Sequence, residues 1–145
     1  MEIGSSALAG QVALVTGAAV RLGRHVAEAL AAEGVHVVVH YRRSSGQADD
    51  LVARLLAMGV EAWAVQADLA DPAQAAALFE GARRACSRPI QILVNSASIF
   101  DPSSVLRFSA AELADNVQVN AFAPLQLCRS MAAQGQPGQI VNFLD

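Results

Sequence analysis

The 145-residue sequence contains no lysine, so all ten of its basic residues are arginines. It has a single tyrosine, Tyr41, and a single tryptophan, Trp63, and aromatic residues make up only 5% of the chain. Its two cysteines, Cys86 and Cys128, are far apart and form no metal-type spacing, which argues against a zinc module and a disulfide scaffold. Two buried thiols in a reducing cytoplasm are the simple expectation. The formal net charge is −3 with no basic block, which gives no general attraction for nucleic acid or an anionic membrane. No apolar run reaches the length of a bilayer span, because Gln11, Thr16 and Arg21 interrupt the best candidate. Met1–Gly10 carries Glu2 and no basic leader segment, so a signal peptide is not expected and a cytoplasmic location is. What the chain does have is 54% hydrophobic and 16% charged residues, the composition of a folded domain.

Short β-branched runs alternate with alanine-rich helical stretches. Strands are expected at Gln11–Thr16, Val35–His40, Glu61–Gln66, Ile90–Asn95 and Gln139–Leu144. Helices are expected at Leu22–Ala32, Ser45–Met58, Asp71 to about Cys86, and about Ala111 to Ala133. Asp71 would cap the third of these, with Pro72 at its first position. The strands are apolar nearly throughout, as in sheets covered on both faces. The alternation predicts βαβ units and a Rossmann-like, doubly wound parallel α/β sheet of five strands. In such a sheet the ligand crevice lies at the C-terminal strand ends, which makes the residues just after each strand the ones to inspect.

After the first strand comes Thr16-Gly17-Ala18-Ala19-Val20-Arg21-Leu22-Gly23 and then a helix. Gly17 permits a tight turn and Gly23 close packing, and the helix N-terminus offers N–H groups to a pyrophosphate. The second strand ends in His40-Tyr41-Arg42-Arg43-Ser44, with no acid before Asp49. An acid there would hold a free ribose 2′-hydroxyl, whereas two guanidiniums and a hydroxyl suit a 2′-phosphate. NADP(H) is therefore expected over NAD(H). His36 and His40 share a strand face, but no third ligand is in sight and no metal is expected.

The glycine loop is TGxxxGxG with Arg21 at the middle glycine, a pattern that resembles the short-chain dehydrogenase/reductase family. TGAAxRLG is most similar to the pteridine reductase branch, and His40, Tyr41, Arg43 and Ser44 match that branch's 2′-phosphate loop. The resemblance implies that Gly17, Arg21, Leu22 and Gly23 face the cofactor, with Arg21 also meeting substrate. It further implies that Asp68 and Leu69, after the third strand, hold the adenine. Asn95, Ala97 and Ser98 match the branch's NNAS run after the fourth strand, while Ser96 departs from its second asparagine. Phe100 stands where the branch stacks a flat pterin, although packing in the core stays open as a second reading. Asn120 corresponds to an asparagine that bends its helix and holds a water behind a catalytic lysine. The other positions of that helix, Val117, Leu125, Leu127 and Met131, read as core or subunit contact. Asp145 stands where the branch has an aspartate able to help protonate the substrate ring.

The family's Tyr-x-x-x-Lys pair is missing from these 145 residues, since Tyr41 is the only tyrosine and there is no lysine. Residues 1–145 are accordingly expected to form the N-terminal part of a single dinucleotide-binding domain, inactive and poorly soluble alone. A complementary C-terminal segment and a homo-oligomer are the expected partners, with a small pterin-like or carbonyl substrate. A carbonyl-acting dehydrogenase, a non-catalytic NADP-binding half-domain that pairs with another chain, and an inert gene fragment remain as alternatives.

Overall fold

The computed structural model describes residues 6–144. Its elements run β1 (Val12–Val15), α1 (Arg21–Ala32), β2 (His36–Tyr41), α2 (Ser45–Ala57), β3 (Ala62–Gln66), α3 (Pro72–Cys86), β4 (Ile92–Asn95), α4 (Ala110–Val117), a π-helical segment (Gln118–Phe122), α5 (Ala123–Ala133) and β5 (Gln139–Asn142). All strand pairings are parallel, in the order β3-β2-β1-β4-β5. The order reverses at β1, where the chain crosses from one half of the sheet to the other. A crevice opens at such a switch point.

Period-two alternation along the strands feeds two cores. Val12, Leu14, Val38 and Leu93 pack on one face with Leu78 and Phe79 of α3 and Leu127 and Met131 of α5. Ala13, Val15, Val37, Val39 and Val94 pack on the other with Ala27 and Ala31 of α1 and Leu51 and Leu55 of α2. Small residues on α1 bring that helix close against the sheet. Asp71 caps α3 as expected: its Oδ1 accepts from the N–H groups of Ala73 and Gln74, and Pro72 opens the helix. The bond from the Gln74 side chain and those two backbone donors hold its carboxyl below the usual carboxylate range.

Two expectations change. The strands are not all covered on both faces: β1 and β4 are buried throughout, β3 alternates between covered and open positions, and β5 is exposed along its length. β3 and β5 are the sheet's outer strands, and each pairs on one side among the described residues. The helix expected from about Ala111 to Ala133 is not uniform, since it widens into a π turn at Gln118–Phe122. Its four apolar positions divide, with Leu127 and Met131 in the core while Val117 and Leu125 are exposed. Among the described residues, no helix is long and apolar enough to cross a membrane.

Candidate functional site

Loops from the C-terminal ends of β1, β2, β3 and β4 converge on a cleft of about 570 Å³ at the switch point. Gly17 lines it from the first loop with Arg21, Leu22 and Gly23 at the start of α1, and His40 and Tyr41 from the end of β2 with Arg42, Arg43 and Ser44 of the loop that follows. Asp68 and Leu69 line it from the third, with Ala97 and Ser98 from the fourth. Asn95 and Asn120 lie instead along an adjoining hollow of about 440 Å³ that shares Ala97, Ser98 and Phe143 with the cleft. Asp145 lies outside the described residues.

The glycine loop is held by close backbone approach. Gly17 has φ +63, and a Cβ there would sit 3.0 Å from the Cα of Ala97. A Cβ on Gly23 would collide with the carbonyl oxygen of Gly17. Thr16 ties the first and fourth loops together, its buried Oγ1 accepting the N–H groups of Ser96 and Ala97 at 3.0 Å each. Thr16 was not among the candidates, because a hydroxyl closing an apolar strand carries no signal of its distant partners. Arg21 adopts φ +51, the left-handed region that favours glycine. The chain has therefore placed an arginine where the backbone suits glycine, and such strain concentrates at functional sites.

His40 proves to be a support rather than an exposed ligand. Only 2% of it is accessible, and both ring nitrogens meet backbone. The Gly17 N–H donates to Nδ1 at 3.0 Å, so Nε2 carries the proton and donates to the Ala67 carbonyl at 3.0 Å. The His40 carbonyl in turn accepts from Ala18 N–H at 3.0 Å. One neutral imidazole thus clasps the glycine loop to the end of β3. Burial pushes its pKa down to about 4, against the opposing effects of the Ala67 bond and the Asp68 charge.

After β2 the chain turns into α2. Ser44 occupies the N-cap position, but its hydroxyl makes no capping bond and the first turn contains no acid. Arg43 has no ion pair among the described residues, whereas Arg42 pairs with Asp68 at 3.1 Å. The site therefore has an uncommitted guanidinium, an uncommitted hydroxyl and the positive end of a 13-residue helix side by side. His36 is occupied elsewhere, its Nδ1 accepting from Glu61 N–H at 2.9 Å. No metal-binding group of three or more His, Cys, Asp or Glu exists among the described residues.

Around the adjoining hollow, the Asn95 amide donates to Asn142 Oδ1 at 2.8 Å, across the β4–β5 pair. Asn120 sits inside the π segment and grips the backbone of Ile99 twice, accepting its N–H and donating to its carbonyl at 2.8 Å each. Its amide is thus committed to the loop after β4, and the widened turn delivers it there. Phe100, the next residue, is 86% exposed and packs into neither core among the described residues. Ile99 lines the cleft beside it.

Comparison with known proteins follows the same outline. A family model described as short chain dehydrogenase matches residues 11–144. A 3-oxoacyl-[acyl-carrier-protein] reductase from Synechocystis is 37% identical over 141 residues, covering 95% of this chain and 57% of that protein. Pteridine reductase 1 from Leishmania tarentolae is 36% identical over 175 residues, covering 92% and 60% respectively. Among solved structures, FolM alternative dihydrofolate reductase 1 from Brucella canis, complexed with NADP, superposes with a TM-score of 0.87 at 32% identity. That match covers 95% of this chain and 57% of the other. The chain thus spans a little over half the length of the relatives it matches.

Proposed function

Because this chain belongs to the short chain dehydrogenase family, we propose that its cleft holds NADP(H). The protein would then act as an NADPH-dependent oxidoreductase on a dihydropterin- or dihydrofolate-like ring. The observation that carries the cofactor choice is the group after β2: Arg43 without a partner among the described residues, Ser44 without a capping bond, and an acid-free first turn of α2. Three positive or donor groups with no internal partner match a dianionic 2′-phosphate, and a ribose diol would leave them unused. The glycine loop, drawn tight at Gly17 against Ala97, brings the start of α1 to the cleft, where its N–H groups suit a pyrophosphate. Bound NADPH supplies a hydride.

The chain's own residues do the rest. Gly17 and Leu22 shape the phosphate cradle, and His40 holds it in register with the end of β3. Arg21 stands at the mouth of the cleft with a charge that can meet both phosphate and an anionic or carbonyl-bearing ring. Asn120 fixes Ile99 and thereby the start of the loop carrying Phe100, whose open face suits a flat heterocycle. Asp145, by its likeness to the pteridine reductase branch, would assist proton delivery to a ring nitrogen. Relatives described as pteridine reductase and alternative dihydrofolate reductase support the pterin reading. A carbonyl substrate is the second reading, favoured by the similarity to the 3-oxoacyl reductase. The exposed outer edge at β5, with Phe143 and Leu144 beside it, is the surface that a complementary segment or another chain would cover.

Calorimetry of the purified protein with NADPH and NADH tests the cofactor. NADPH is expected to bind more tightly, and Arg43→Ala to lower that preference at least tenfold, the scale of one lost charge-assisted bond. Equal weakening of both dinucleotides would refute the assignment. Turnover of a dihydropterin, a dihydrofolate and a panel of ketones then separates the two substrate readings. Tight NADPH binding with no turnover of any of them would leave a non-catalytic binding module that pairs with another chain. An intact-mass spectrum near 15.1 kDa or well above it establishes which polypeptide is being assayed.

A further inference from the structure

The two arginines after β2 stand in different company. Arg42 Nε lies 3.1 Å from Asp68 Oδ1, and its carbonyl accepts from the Gln66 side chain at 3.0 Å. The same Asp68 oxygen accepts the Ala70 N–H at 3.0 Å, while the Asp68 N–H donates to Gln74 Oε1 at 2.8 Å. Asp68 is therefore fixed at its backbone and its carboxylate, and its other oxygen makes no hydrogen bond among the described residues. Arg43 lies one residue on, beside Ser44 and the start of α2, with no ion pair among the described residues. All four residues line the same cleft.

A carboxylate on the wall of a phosphate-binding cleft is a liability. Unpaired, it repels the incoming anion across a partly desolvated gap, where charge interactions exceed their bulk-water values. Paired and oriented, it presents an acceptor without that repulsion. Arg42 sets its Nε against this carboxylate and so offsets the charge that a bound dinucleotide would otherwise meet.

We infer that Arg42 is a positioning residue that acts on the cofactor through Asp68, holding and neutralising its carboxylate, whereas Arg43 with Ser44 meets the 2′-phosphate directly. This division rests on the NADP(H) reading of the cleft given above. It also predicts which arginine is dispensable once the carboxylate is gone.

A double-mutant cycle on the purified protein, read as NADPH dissociation constants by calorimetry, tests it. Arg42→Ala is expected to weaken NADPH about tenfold in the otherwise unchanged protein, the sum of a lost exposed ion pair and a carboxylate left facing phosphate. In an Asp68→Asn background the same change is expected to cost less than twofold, because no charge remains to be neutralised. Arg43→Ala is expected to cost at least tenfold in both backgrounds. If Arg42→Ala costs the same factor with and without Asp68, Arg42 touches the phosphate itself and the inference is overturned. It is equally overturned if Arg42→Ala lowers the melting temperature but leaves NADPH affinity within twofold. Absence of binding of both NADPH and NADH by the unmodified protein would instead remove the cofactor reading on which this one rests. Should Arg42→Ala fail to fold, Arg42→Gln carries the same expectations.

Discussion

The buried imidazole of His40 makes the stability of this protein depend on pH in a calculable way. In the unfolded chain a histidine titrates near 6.5, while in the fold burial brings His40 down to about 4. The folded state therefore resists the proton and the unfolded state accepts it. Stability is fully present above about pH 7, declines as pH falls from about 6.5 toward 4, and levels off below that. The shift corresponds to about 3 kcal/mol at its limit, of which about 2 kcal/mol is lost between pH 7 and pH 5. A loss of that size lowers the urea midpoint by about 1 M for a domain of this length. Other groups also titrate in this range, so the slope must be compared with a variant that cannot titrate there. His40→Asn retains an acceptor for the Gly17 N–H, loses the bond to Ala67, and should be less stable than the parent at pH 7. Its midpoint should fall by about 1 M less than the parent's between pH 7 and pH 5. Equal pH slopes for the two proteins, or a His40 ring resonance titrating between pH 6 and 7, would refute the reasoning.

Arg21→Gly should remove about 1–2 kcal/mol of left-handed strain against about 0.5–1 kcal/mol of added chain entropy. The net gain of about 0.5–1 kcal/mol should appear as a melting temperature raised by a few degrees, and a lower one would mean that the guanidinium's contacts outweigh the strain. Asn120→Ala should cost about 1–2 kcal/mol and accelerate hydrogen exchange at the Ile99 amide, whose partner it removes; an unchanged rate would show that the π segment alone holds the loop. Phe100→Ala should change stability by less than about 0.5 kcal/mol because the ring is exposed. In steady-state assays it should raise KM for a pterin while leaving NADPH affinity unchanged, and equal loss of both would contradict a substrate platform.

Much of this architecture is written in local pattern. Apolar runs of four to six residues between alanine-rich helices announce the parallel sheet, and Asp71-Pro72 announces the start of α3. The glycine loop and the acid-free end of β2 are also local, since each depends on residues within one turn. Other features were not legible. Pro124, which cannot donate to the preceding turn, and the amide at position 120 mark a break in the long helix, but the backbone of Ile99 that holds that amide lies 21 residues away. Phe100 has the same composition signal whether it packs inside or points outward, and only the course of the loop after β4 decides it.

His40 shows where the boundary falls. Its position at the C-terminal end of β2 places it near the ligand crevice by sequence alone, because that placement follows from the alternation of strands and helices. Its task came from elsewhere, since a ring flanked by Gly17 and Ala67 needs three separate segments to meet. The same holds for Arg42 and Arg43, adjacent and alike in sequence but separated in role by an aspartate 26 residues beyond Arg42. Sequence determined the period of the elements, the residues at each strand end and the charge offered to a ligand, all of which depend on near neighbours. Tertiary structure decided which donors are already spent and which remain free, because that depends on groups brought together only by the folded sheet.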